Sequence, residues 1–155
     1  MNKFCKTLNK VWLNALIMVV STAMFAALYV WKYAIISYIT ENWFLYYSIA
    51  AMAMMICCLL LGNNAMAKKI KRLRNEELQQ KLTGYKAIYR KRINLFSAIA
   101  LVATISMVLL NHLYYAIFAA LSLLLIVVNR VTPIKVKYEL NLSDEDIKGA
   151  DKIKL

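Results

Sequence analysis

The chain has one histidine, His112, and no acid or cysteine stands near it in sequence. A zinc site draws three or four ligands from cysteine, histidine and carboxylate side chains, so His112 lacks the company for metal chemistry. Ser21, Ser48, Ser97, Ser106 and Ser122 fall inside long apolar stretches. A nucleophilic serine needs a base such as histidine or lysine beside it, and those stretches hold neither. The hydroxyls are expected to bond helix backbone or a neighbouring helix instead. Adjacent Cys57 and Cys58 are too constrained to bridge each other easily and read as small packing or lipid-facing residues. Cys5, near the membrane, is a candidate for acylation, on the weak signal of a single cysteine. With three glycines in the whole chain, there is no glycine-rich loop to cradle a phosphate.

Charge is informative through its absence. Residues 11–30, 43–61, 93–110 and 113–128 contain no Asp, Glu, Lys or Arg. Ionisable groups inside a membrane are costly and are kept where they serve transport or sensing. Their lack argues against a proton-coupled transporter, a pump, a voltage sensor or a multidrug exporter with an embedded carboxylate. Asn14 sits at comparable depth but does not titrate. No catalytic residue, metal site or cofactor is expected, and the chain reads as a non-enzyme.

Four elements must carry these residues. Of 155 residues 62% are hydrophobic, with a mean hydropathy of +0.55, against about 45–50% apolar in soluble domains. Residues 11–30 alone cross about 30 Å of hydrocarbon at a rise of about 1.5 Å per residue. The first run reads as a retained span, being too long for a cleavable signal. The expected fold is an all-α integral membrane protein with four transmembrane helices in two antiparallel hairpins. Residues 1–10 form a basic N-terminus, 11–61 the first hairpin, 62–92 a basic loop or helix, 93–129 the second hairpin and 130–155 a tail. Residues 34–40 either extend the first helix or lie on the outer surface. The fourth run is short, and a re-entrant hairpin of the third and fourth runs is the alternative. Trp31, Trp43, Tyr46, Tyr47, Tyr114 and Tyr115 flank the spans where aromatics favour the outer interface.

The net charge of +12 is concentrated beside the apolar runs, the pattern of anchoring charges and not of nucleic-acid recognition. In the four-span arrangement nineteen of the twenty Lys and Arg residues fall on one side and Lys32 alone on the other. Basic residues resist translocation, so the crowded side, with both termini, is expected in the cytoplasm. Within 68–92, Leu78, Leu82, Tyr85 and Tyr89 recur at helical spacing after a skip from Leu73. Gly62-Asn63-Asn64 and Gly84 are weak points in helical runs. Lys68, Lys69, Lys71, Arg72, Arg74, Arg90, Lys91 and Arg92 are the candidate surface for anionic lipid or a protein partner. In the tail, Pro133 ends the fourth helix, the alternation at 134–138 predicts an extended segment, and Ser143 with the acids after it predicts a helix N-cap over 144–150.

Leu45-Tyr46-Tyr47-Ser48-Ile49 and Leu113-Tyr114-Tyr115-Ala116-Ile117 echo each other. Either a two-helix unit is duplicated or interface aromatics recur on physical grounds. Ala23 with Ala27, Ala116 with Ala120, and Ser97, Ala100 and Thr104 mark small faces where helices meet, within the bundle or between copies. The polar content lies almost wholly outside the spans. The expected function is therefore a non-enzymatic accessory, anchoring or assembly subunit acting through cytoplasmic partners. The alternative is an oligomeric channel or pore-forming effector lined by Asn14, Ser21, Thr22, Ser97 and Thr104. Richness in Lys, Ile and Asn fits a multi-pass protein of a bacterial inner membrane.

Overall fold

The computed structural model describes residues 1–32, 41–110, 114–143 and 145–147. These form α1 (Asn2–Lys32), α2 (Glu41–Leu73), α3 (Leu78–Leu110), α4 (Tyr114–Val128) and α5 (Pro133–Leu140), with no strand among them. α1, α2 and α3 are each long and apolar enough to cross a membrane. α4, at 15 residues, passes that test only together with α5, from which it is bent by 89°. Three candidate spans are therefore present, or four if the bent pair makes one. The question of residues 34–40 and the turn at Asn111 and His112 lie outside the described residues.

α3 is the hub. It packs against α1, α2 and α4, whereas α1 and α2 share no comparably extensive contact. The most apolar stretch of α3 is 56% buried inside the protein, against 11% in α1 and in α2. Leu13, Ile17, Phe25, Leu28, Leu60 and Leu61 are correspondingly exposed. In water such a surface far exceeds what a monomer tolerates; lipid solvates it without cost.

Gly62-Asn63-Asn64 does not interrupt α2. Gly62 leaves room for the Leu95 side chain, which a Cβ at that position would strike. The Asn63 Oδ1 accepts two hydrogen bonds from Arg92, at 3.1 Å from Nε and 2.6 Å from Nη2. Tertiary partners thus offset the poor helix propensity. The skip between Leu73 and Leu78 is the turn joining α2 to α3, closed by Glu76 N–H to the Leu73 carbonyl at 3.2 Å. The basic segment is therefore a helical hairpin continuing α2 and α3, not a separate element.

Residues 134–138 are helical where alternation predicted an extended strand. Thr132, in an extended conformation, accepts from Lys135 N–H, and Pro133 occupies the first turn, a favourable start because proline's missing donor would be orphaned there anyway. Val136 and Leu140, four apart, are buried, and Ile134 and Tyr138, also four apart, are exposed. The apparent two-residue period is one face of a helix seen over too few residues. Asn141, at φ 52°, ends α5 in the left-handed region. The predicted N-cap at Ser143 is present: Asp146 N–H reaches Ser143 Oγ at 3.1 Å and Ser143 N–H reaches Asp146 Oδ2 at 2.9 Å, a reciprocal capping box. Residues 144 and 148–150 of that predicted helix lie outside the described residues.

Candidate interaction surface at the basic end

The basic ends of α1, α2 and α3 do not trail from the spans; they fold around a core of their own. Met1, Phe4, Cys5 and Leu8 of α1 meet Ile70 of α2, then Leu82, Tyr85, Tyr89 and Ile93 of α3, and finally Val131, Val136, Leu140 and Leu142. The helical spacing of Leu82, Tyr85 and Tyr89 is thus an inward-facing stripe. Cys5 belongs to this core, so it is shielded from acylation. Gly84 faces Leu73, whose side chain would lie 2.7 Å from an added Cβ; this lets α2 and α3 close tightly near their turn.

A polar network fastens α5 to this core. Tyr85 OH donates to Glu139 Oε2 at 2.6 Å, and Arg92 Nη1 lies 3.8 Å from Glu139 Oε1. The Arg92 guanidinium also holds Asn63, so one side chain links α2, α3 and α5. Arg74 donates to the Glu139 carbonyl at 3.0 Å. Tyr89 OH donates to the Asn129 carbonyl at 3.0 Å. Lys135 Nζ reaches the Val128 carbonyl and Asn129 Oδ1, each at 3.2 Å, a cation at the carbonyl end of α4 where the helix dipole favours it. Trp12 Nε1 donates to the Ile126 carbonyl at 2.7 Å, with the Arg130 guanidinium 5.6 Å from its ring. Burial pushes the Tyr85 phenol above its ordinary value, and the bond to Glu139 pushes it the same way. Burial likewise raises Tyr89, against the pull of Arg92, and lowers Lys135, against that of Glu139. Both phenols and this amine are engaged in hydrogen bonds that tie α3, α4 and α5 together.

The surface of this head carries the cations. Lys68, Lys69, Lys71, Arg72, Arg74, Arg90 and Lys91 are exposed, while Arg92 is turned inward with 15% of its side chain exposed. Glu139, Asn129 and Trp12, which the residue pattern did not mark as site residues, organise the head, together with Asn63, which it marked only as a weak point in a helix. The signal available for Glu139 was the Thr132-Pro133 helix start, which places it one turn from Lys135 on a helix with a buried face.

At the opposite end Trp31, Trp43 and Tyr46 are exposed, and Trp31, at 84%, is the most open. Tyr47 is half-buried and touches Ser106 at 3.3 Å. Tyr115 is 1% exposed and bonds Ser48 at 2.5 Å; it is a packing residue, not part of an outward belt. Tyr114 begins α4, and its side chain lies outside the described residues. The echoed tyrosines therefore differ in surroundings. Ser97 and Thr104 donate to the carbonyls of Ile93 and Ala100, at 3.0 and 2.8 Å. Among the described residues no three His, Cys, Asp or Glu side chains gather as a metal site would need. Compared with models of known protein families, with curated proteins and with solved structures, the chain matches none.

Proposed function

We propose that this chain is a four-span protein of a cell membrane, a bacterial inner membrane by its composition, with both termini and the basic head in the cytoplasm. In this reading α4 spans together with the polar residues at its ends, and α5 lies near the surface of the bilayer. The chain acts as a non-enzymatic accessory or assembly subunit, and its head is the part that partners recognise. The supporting observation is the head itself. Seven exposed cations stand on a folded core, held in fixed relation to one another by the helical hairpin and by α5. A flexible basic tail would suffice for attraction to anionic lipid alone, worth about 1 kcal/mol per basic residue near the surface. A rigid array adds geometric selectivity for a protein with a complementary acidic face.

The test is crosslinking in native membranes with the wild type and with a variant carrying Lys68→Glu, Lys69→Glu, Lys71→Glu and Arg72→Glu. All four side chains are exposed, so the fold is expected to survive. A defined protein partner captured by the wild type and lost from the variant supports the reading. An identical set of crosslinked proteins from both, or robust ion flux from liposomes holding the purified protein alone, overturns it.

A further inference from the structure

Two cavities lie in series along the junction of α1 and α3 and form one groove, with no α4 residue in its lining. They have volumes of about 380 and 410 Å³ and meet at Leu101. The lower one, toward the head, is bordered by Asn14 and Asn94; the upper one ends at Phe25 and Leu109. From Asn14 to Phe25 is about 17 Å along α1, and from Asn94 to Leu109 about 22 Å along α3, at about 1.5 Å per residue. One leaflet is about 15 Å deep, so the groove has the length of one acyl chain.

Its wall is carbon despite its composition. Thr22 turns its hydroxyl to the Met18 carbonyl at 2.9 Å, and Ser97 and Thr104 do the same within α3. Apart from the Ser21 hydroxyl in the upper cavity, the polar groups lie at the mouth. The Asn14 and Asn94 side chains are exposed and make no hydrogen bond among the described residues. One turn nearer the head, on the same faces, come Lys10 below Asn14 and Arg90 and Lys91 below Asn94, since residues three and four apart stack on one side of a helix. All three cations are exposed and form no ion pair among the described residues. Both helices start at the head, so their side chains lean toward it and reach the headgroup level.

We infer that this groove is a binding site for one anionic glycerophospholipid, with an acyl chain between α1 and α3 and its phosphate among Lys10, Arg90 and Lys91. The inference rests on the membrane reading above, with the head at the headgroup level, and on charge complementarity at the mouth. A helix from a second copy is the weaker occupant. Small residues, Ala15, Ser97 and Ala98 among them, line the lower cavity and would let a helix approach. A copy in the same membrane orientation, however, would bring its own basic head to the level of Lys10, Arg90 and Lys91, where like charges repel.

The test is native mass spectrometry of the full chain released from detergent with phosphatidylglycerol or phosphatidylcholine added. The wild type is expected to retain one phosphatidylglycerol in preference to phosphatidylcholine. Removing a cation should weaken retention about fivefold, so a variant with Lys10→Gln, Arg90→Gln and Lys91→Gln should lose the preference. Ala98→Phe, which fills the lower cavity from an exposed position of its lining, should lose the lipid altogether. A variant with Lys68→Gln, Lys69→Gln and Lys71→Gln has the same net charge as the first and should keep it. Equal retention of both lipids, equal loss from the two triple variants, or dimers in place of lipid adducts would overturn the proposal. A chain that stays in the aqueous fraction without detergent would instead sink the membrane reading beneath it.

Discussion

Leu82→Ala separates the two solvents that this fold requires. Leu82 is 0% exposed, within the core that Phe4, Leu8, Tyr85 and Leu140 share. If water surrounds the head, the substitution loses the transfer free energy of the removed carbons and leaves a cavity, a cost of about 2–5 kcal/mol. A value near 3 kcal/mol corresponds to roughly a hundredfold rise in the population of the opened head. The matching control is Leu60→Ala, at 61% exposed in the uncharged part of α2. There lipid replaces side chain with no hydrophobic driving force, and the cost should stay within about 0.5 kcal/mol, as for other surface substitutions. Hydrogen exchange in lipid nanodiscs reads local opening directly. The amides of residues 80–90 and 134–142 should lose about a hundredfold protection in Leu82→Ala and keep it in Leu60→Ala. Equal effects from the two substitutions, or no effect of Leu82→Ala on α5, would refute the claim that an apolar core, surrounded by water, holds the head together.

Other tests bear on the ties of the head. Tyr85→Phe removes a hydrogen bond to a carboxylate and should destabilise by about 1.5–3 kcal/mol; with Glu139→Gln a double-mutant cycle should return at least about 0.5 kcal/mol of coupling, and an additive result would show that the pair does not interact. Trp12→Phe strips the donor from the Ile126 carbonyl, so the apparent melting temperature in detergent should fall by an amount matching about 1 kcal/mol; an unchanged melting curve would dismiss that bond. The Ser143 backbone N–H, then its hydroxyl, hold the Asp146 carboxyl below the usual carboxylate range. The cap's contribution is then complete above the unfolded value of about 3.9 and is lost as pH falls through the folded one. Amide exchange at Ile147 should accelerate in that acidic window; in Ser143→Ala, which keeps the backbone donor and loses only the hydroxyl, the pH dependence should weaken, and in Asp146→Asn it should vanish.

Much of this arrangement was legible in the chain before folding. The uncharged runs located the apolar portions of α1 to α4, because no side-chain geometry is needed to know that lipid rejects charge. The spacing of Leu82, Tyr85 and Tyr89 marked a buried face, and Ser143 marked a cap, because both are local periodicities. What covered that buried face was not legible. Met1, Phe4 and Leu8 read as part of a short basic terminus, and α5 read as extended, because five alternating residues fit a strand as well as one side of a helix.

The order of apolar and basic segments therefore determined by itself which stretches are apolar enough to cross a membrane and which carry the charge, since both depend on composition along the chain. Only tertiary structure decided that α3 is central and that Gly62 and Asn63 continue a helix. It also decided that Arg92 turns inward to Asn63 and Glu139 while Arg90 and Lys91 stay exposed, and that Tyr115 is buried where Tyr46 is not. Each of those outcomes depends on which distant side chain arrives as a neighbour, a quantity that no local pattern contains.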